Sequence, residues 1–323
     1  MSKPVQVFLI MGQSNTLEMG KVSKVKGGQG SLEHAVKEEG LYPFMVDDAG
    51  VWTKRQDVRN VHVMGSGGPG KTRNMRNDWL TVSGRKVGIE QGIGHRLGDA
   101  IDAPVLILKS SIGNRSLGWD ILPPGSTSYE FTDPKDRKTY VYAGYGQSPG
   151  RWVKGSKPKP IGWSAGLQYK GDVARAKAVL KDLGKHYPGA TKFEVKGFLW
   201  WQGDKDRYDA GHAEKYGENL VRLVEALRKE FDAPDAKFVC ATLGQTDKVA
   251  AKGNEKAILD GMMALSDAKQ NPALKNTVAT VYTHPLSMGS SSNAHYGGNA
   301  KTYMNVGLAM GMAMVELLQA KVR

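Results

Sequence analysis

A serine hydroxyl becomes a nucleophile when a base can take its proton and N–H donors face the oxyanion that forms on the carbonyl it attacks. In Met11-Gly12-Gln13-Ser14-Asn15 a serine of this kind follows an apolar, β-branched run, Val5 to Met11, on a turn introduced by Gly12. A hydroxyl placed there stands free at the end of a buried strand. The same position also suits a serine that only caps a following helix. The backbone N–H groups of Ser14 and Gly113 are candidate oxyanion donors, because glycine lets the main chain approach a ligand closely. The Gln202 amide is a candidate third donor, and a polar residue closing a strand-to-loop turn is its other reading. Seven histidines compete for the base. His34, His62, His95, His186 and His212 have no partner motif and read as surface or packing residues, which leaves His284 and His295.

These residues need a scaffold that brings distant segments together. Five apolar runs of strand length supply it: Val5 to Met11, Pro104 to Lys109, Val195 to Trp200, Lys237 to Thr242 and Thr277 to Tyr282. Near-continuous burial of this kind is the mark of a parallel sheet covered on both faces. Helical spacing lies between them in Ile89, Ile93, Leu97 and Ile101, in Val173, Ala176, Leu180 and Leu183, and in Leu220, Val224, Leu227 and Phe231. A last helix is expected from about Ala300 to about Leu318, with Met304, Leu308, Met312 and Val315 inward. Alternating strands and helices predict a three-layer α/β/α architecture on a five-stranded parallel sheet, one domain over residues 1–323. Residues 15–87 and 111–165 are too long for ordinary connections. They are expected as loop insertions above the carboxyl ends of the strands, where open α/β sheets bind ligands.

Three further blocks accompany Gly-Gln-Ser-Asn at positions 12–15: Lys109-Ser110-Ser111-Ile112-Gly113-Asn114-Arg115-Ser116-Leu117, Trp200-Trp201-Gln202-Gly203-Asp204, and His295 just before the last helix. In this order, after separate strands, they resemble the conserved blocks of SGNH hydrolases, in the branch of sialate O-acetylesterases and family 6 carbohydrate esterases. The resemblance implies a flavodoxin-like SGNH fold and a serine esterase that removes O-acetyl groups from carbohydrate through an acyl-enzyme at Ser14. It also selects His295 as base over His284, whose Pro285 suggests a rigid turn. One departure stands out. The family commonly carries Asp three residues before that histidine, whereas this chain has Ser292. Asp204 is then the candidate acid or a loop brace, Asp206 a weaker one, and a Ser14–His295 dyad the minimal arrangement. The same departure motivates an alternative, a catalytically impaired carbohydrate-binding protein on the same fold.

Gln13, Asn114, Arg115 and Trp201 are the candidate substrate contacts. Trp119, Trp152, Trp163 and Trp200 offer further flat faces for sugars, although Trp200 and Trp201 fit a core equally well. The substrate expected is an acetylated oligo- or polysaccharide. The net charge of +13 allows an anionic one, with Arg115 suited to a carboxylate or sulfate. The basic residues, such as Lys21, Lys24 and Lys26 or Lys154, Lys157 and Lys159, are scattered without a nucleic-acid module, so no nucleic-acid partner is expected. No apolar run approaches the roughly 20 residues that cross a bilayer, which predicts a protein not embedded in membrane. Cys240, the single cysteine, sits in a strand pattern, and no metal-ligand spacing appears, so neither metal nor cofactor is expected. Met1-Ser2-Lys3-Pro4 leads straight into a strand without a signal peptide, while the resemblance implies a periplasmic or secreted protein.

Overall fold

The computed structural model describes residues 3–23 and 28–320; Lys24 and Lys26 of the first basic group lie outside the described residues. All five expected strands form: Val5–Gly12 (β1), Val105–Ser110 (β4), Phe193–Trp201 (β5), Lys237–Ala241 (β6) and Val278–Val281 (β7). The sheet has seven strands, not five. Residues 15–87 supply the other two, Val58–Met64 (β2) and Arg73–Trp79 (β3), so this stretch is part scaffold as well as insertion. The order is β7-β6-β5-β1-β4-β2-β3, parallel throughout except for the β2–β3 hairpin.

Strand β1 shows why the sheet is covered twice. Val5, Val7, Leu9 and Met11 enter the core on one face, while Phe8 and Ile10 enter the core on the other. The first face is covered by Leu167–Lys181 (α2), Tyr216–Glu230 (α3) and Gly253–Leu265 (α4), the last without a counterpart in the sequence reading. The second face is covered by Glu90–Ala100 (α1) and Ala300–Gln319 (α5). The three-layer α/β/α arrangement is therefore present. Strand order reverses around β1, flanked by β4 and β5, which places the switch point directly below Ser14.

The inward face of α5 differs from the expected one. Met304, Met310, Met314 and Leu317 are buried, while Met312 is 41% exposed. The cause is a glycine seam: a Cβ on Gly307 would lie 2.4 Å from the Ile89 carbonyl oxygen, and one on Gly92 would lie 2.4 Å from the Leu308 nitrogen. Helices α1 and α5 thus meet backbone to backbone, and counting large side chains misses that face. The second insertion has structure of its own, an antiparallel sheet of Tyr129–Thr132, Thr139–Tyr142 and Arg151–Val153. Among the described residues no helix is long and apolar enough to cross a membrane.

Candidate active site

Strand β1 ends at Gly12, whose φ of +147° and whose hypothetical Cβ, 2.6 Å from the Trp201 carbonyl oxygen, both demand glycine. The chain then turns through extended Gln13 into the 3-10 turn Ser14–Thr16. The Thr16 hydroxyl fixes this turn, lying 2.7 Å from the Gln13 carbonyl oxygen and 2.8 Å from Ser111 Oγ just after β4. Gly113, on the loop after β4, packs against the serine, with room for a Cβ 3.5 Å from Ser14 Cβ. Among the described residues neither the Ser14 N–H nor the Gly113 N–H is given to a protein acceptor.

His295 approaches from the segment before α5. His295, Tyr296 and Gly297 are all left-handed, with φ of 52°, 53° and 65°. For His and Tyr this backbone costs about 1–3 kcal/mol each and needs support from around it. Tyr296 supplies much of that support: it is fully buried, stacks on Trp201 at 5.6 Å, and its hydroxyl accepts the Gly244 N–H at 3.1 Å. The Tyr303 hydroxyl donates to the His295 carbonyl oxygen at 3.3 Å.

Ser14, Gly113, Asn114, Asp204 and His295 line one cleft of about 420 Å³, with Gln13, Leu17, Met19, Tyr208 and Asn293 completing the wall. Segments after β1, β4, β5 and β7 therefore converge at the switch point. No hydrogen bond joins Ser14 to the His295 ring among the described residues; what they share is the cleft. A serine hydroxyl, an imidazole and unpaired N–H groups in one recess are the components acyl transfer to serine requires.

Three expected site residues are placed elsewhere. Gln202 is fully buried, and its amide nitrogen lies 3.1 Å from Gln13 Oε1, 2.9 Å from the Arg115 carbonyl oxygen and 2.5 Å from Asp206 Oδ2. Its donors are occupied, so it braces the loops and does not face the cleft. Trp201 is fully buried under Tyr296, with its indole N–H on the Thr242 carbonyl, so it supports the His295 loop and offers no face to sugar. Arg115 gives its guanidinium to Gln168, Ser66 and the Asn114 carbonyl and lies 5.1 Å over the Trp163 ring, outside the cleft wall. Trp119 and Trp152 pack against Leu122, Ala143 and Ala165.

The two acids after β5 divide the work. Asp206, fully buried, accepts the N–H groups of Leu117 and Gly118 at 2.9 and 2.7 Å besides the Gln202 amide. Burial pushes its carboxyl upward, against the pull of His212 and these hydrogen bonds. Asp204 accepts from Ser292 Oγ at 2.5 Å and from Arg207 Nε at 2.9 Å, and so ties the Trp-Gln-Gly-Asp turn to the segment bearing His295. His284 is held by the Gly244 carbonyl at 2.9 Å and stands 3.5 Å from Asp247, away from the cleft wall.

A buried ionic group behind the Ser14 turn was not anticipated. Lys109, fully buried at the end of β4, sits 2.8 Å from Glu90 and 3.4 Å from Glu18, and His62 of β2 lies 3.4 Å from Glu18. Burial would raise the Glu18 carboxyl, but Lys109 and His62 outweigh it and hold it far below the usual range. A lysine ending a doubly buried strand was the available signal, since such a charge must be paired. Gly65-Ser66-Gly67-Gly68-Pro69-Gly70-Lys71-Thr72 spells a phosphate-loop pattern, yet it joins β2 to β3 with no helix after it. The carbonyls of Gly65, Gly67 and Gly68 accept from buried Arg175. Cys240 is buried, and burial pushes its thiol up. Among the described residues no group of three or more His, Cys, Asp or Glu is placed to hold a metal ion.

Comparison with known proteins bears on the fold and the family. A probable carbohydrate esterase of Arabidopsis thaliana is 37% identical over 60 residues, 17% of this chain; the aligned stretch spans only 23% of that relative. The crystal structure from the same Arabidopsis locus superposes with a TM-score of 0.54 at 16% identity, covering 97% of this chain and 98% of the other. A carbohydrate acetylesterase from Xanthomonas citri gives 0.54 at 16% identity over 95% of this chain and 55% of its own, and NanS gives 0.50 at 14% over 98% and 97%. At these identities the likeness is one of fold. Residues 141–316, more than half of the chain, match the family model described as carbohydrate esterase, sialic acid-specific acetylesterase. That stretch includes the third block and His295, while Ser14 and Gly113 lie before it. The chain belongs to the carbohydrate esterase family of sialic acid-specific acetylesterases.

Proposed function

We propose that the protein removes O-acetyl groups from carbohydrate through an acyl-enzyme at Ser14. The observation that carries this reading is the shared cleft of Ser14 and His295, with the free N–H groups of Ser14 and Gly113 beside the serine. His295 takes the hydroxyl proton as Ser14 Oγ attacks the acetyl carbonyl, and the two N–H groups receive the oxyanion. Collapse expels the sugar oxygen, which leaves with the proton from His295. Water, deprotonated by the same imidazole, then releases acetate and restores Ser14. Asp204 acts in this scheme as a positioning residue: its carboxylate holds Ser292, and Ser292 holds the turn on which His295 sits.

Acetylated oligo- or polysaccharide is the substrate read from family membership. Among the described residues lining the cleft, Asp204 is the one carboxylate and no lysine or arginine is present, so the basic charge gives no contact to an anionic sugar at the wall itself. The test is acetate release from a panel of neutral and anionic acetylated glycans by the wild type and by Ser14→Ala. Loss of turnover by about four to six orders of magnitude in the variant is expected. Retention of most of the wild-type rate would overturn the mechanism.

A second reading, glycan binding without turnover, is favoured by one observation: among the described residues no carboxylate bonds the His295 ring. Tight binding of glycan with no labelling of Ser14 by a fluorophosphonate would establish it in place of the first.

A further inference from the structure

Tyr208 stands 58% exposed at the end of the Asp206–Tyr208 turn and forms part of the wall of the cleft that holds Ser14 and His295. An exposed aromatic ring is unremarkable by itself. Its anchoring is not. The Arg207 guanidinium lies 4.6 Å over the ring and donates from Nη2 to the Tyr208 hydroxyl at 2.7 Å. Arg207 is in turn fixed by Asp204 at 2.9 Å and Glu255 at 2.7 Å, and its carbonyl accepts the Asn254 amide at 2.9 Å. A ring gripped at its hydroxyl and covered on one face has little rotamer freedom left to lose when something binds to its other face.

The tryptophans expected as sugar platforms are engaged in packing: Trp200 and Trp201 are buried, Trp119 and Trp152 belong to a small core, and Trp163 carries Arg115. None of them lines the cleft, and Tyr208 does. The same wall carries two exposed asparagines. Asn114 is held in the left-handed region at φ 58°, and Asn293 keeps its amide donors while its Oδ1 accepts from Ser291. An aromatic face for ring C–H groups and amides for hydroxyls are the parts that bind a pyranose.

We propose that Tyr208 is the stacking platform for the sugar ring whose acetyl ester is presented to Ser14, with Asn114 and Asn293 meeting its hydroxyls. The proposal rests on the deacetylase reading above and adds the residue that selects a sugar over other acetyl esters. The Tyr208–Arg207–Asp204–Ser292 chain also links the platform to the turn bearing His295, so a ring seated on Tyr208 bears on the same support that places the base.

The test compares kcat/KM on two substrates: an acetylated xylo-oligosaccharide, and triacetin, which carries acetyl esters but no ring. Tyr208→Ala is expected to lower the value on the oligosaccharide at least about tenfold more than on triacetin, mainly through KM, with Tyr208→Trp regaining most of the difference. The ratio of two substrates on one preparation does not depend on the folded fraction. An unchanged ratio in Tyr208→Ala, or equal loss on both substrates, overturns the platform while leaving the deacetylase reading intact. A wild type that hydrolyses triacetin but no acetylated sugar overturns both.

Discussion

Ser292 Oγ donates a 2.5 Å hydrogen bond to Asp204 Oδ1, across 88 positions of sequence. Ser292 stands three residues before His295, so this bond ties the segment bearing the candidate base to the turn after β5.

Relocating that charge tests the link. Ser292→Asp alone sets two carboxylates side by side and is expected to lower kcat/KM, because one must take up a proton or move away. Ser292→Ala loses a charge-assisted hydrogen bond of about 1.5–3 kcal/mol, and a loss of roughly ten- to a hundredfold follows if that energy serves to position His295. Asp204→Asn combined with Ser292→Asp restores a single carboxylate beside the histidine turn. The double variant should exceed Ser292→Asp by about tenfold, and its pH–rate profile should show a base of altered apparent pKa. A double variant no better than the single one would show that the two loops are not coupled through this pair.

Gln202 and Asp206 give a second contrast. If Gln202 braces loops, Gln202→Ala lowers the melting temperature together with the rate, since it removes one of three donors to Asp206 and leaves the Arg115 carbonyl without its donor. A donor to the oxyanion would lose about two to three orders of magnitude in kcat with stability unchanged. Asp206→Asn should cost about 3 kcal/mol in urea unfolding, because three N–H donors would then face a group with a single acceptor oxygen. Unaltered stability in both variants would remove the bracing role.

His95 on α1 makes stability depend on pH. Burial, with Arg55 second, lowers it from 6.5 to about 4, and its ring packs 4.6 Å from that of Phe44. Between these values the unfolded chain binds the proton and the folded one does not, so stability is full above pH 6.5 and falls as pH drops toward 4. Asp172 acts in the opposite sense. Burial pushes it up to about 7 against Arg175, so the fold holds its proton and gains stability as pH falls from 7 toward 3.8. Comparing wild type with His95→Gln isolates the histidine. Its stability difference between pH 7 and pH 4.5 should be smaller by on the order of 2–3 kcal/mol. Equal differences in the two proteins would refute this.

Two glycines beside the serine should respond differently to the same methyl group. Gly12→Ala places Cβ 2.6 Å from the Trp201 carbonyl oxygen at a φ of +147°, and a loss of about 3 kcal/mol is expected. Gly113→Ala meets only Ser14 Cβ at 3.5 Å, an ordinary contact, so thermal unfolding should barely move while kcat falls. A large drop in stability for Gly113→Ala would mean that its loop is tighter than described.

How far the sequence was legible depended on whether a signal was local. The five strands of β1 and β4–β7 show as apolar runs because both faces are buried, and Ser14 shows because it follows the first of them. Strand β2 hid behind Arg59, Asn60 and His62, all buried and polar; Arg59 finds the His186 carbonyl and Asn77, partners that no local pattern reveals. Strand β3 is an edge strand with Arg73, Asn74, Arg76, Asn77 and Asp78 along it, so the apolar alternation of a strand is missing. Gln202 and Trp201 meet a similar limit: they sit two and three residues before Asp204 of the cleft wall, and only the direction of the side chain separates support from contact. The Ser292–Asp204 bond left no local signal because its two ends lie 88 positions apart.

The glycine seam between α1 and α5 has a practical meaning for anyone redesigning this protein. With Gly92 against Leu308 and Gly307 against Ile89, no side chain larger than hydrogen fits, and α5 begins directly after the turn that bears His295. Tyr208, Leu17 and Met19 line the cleft from segments outside the seam. The seam is where a library should stay silent, because widening it would shift the histidine relative to the serine without touching either.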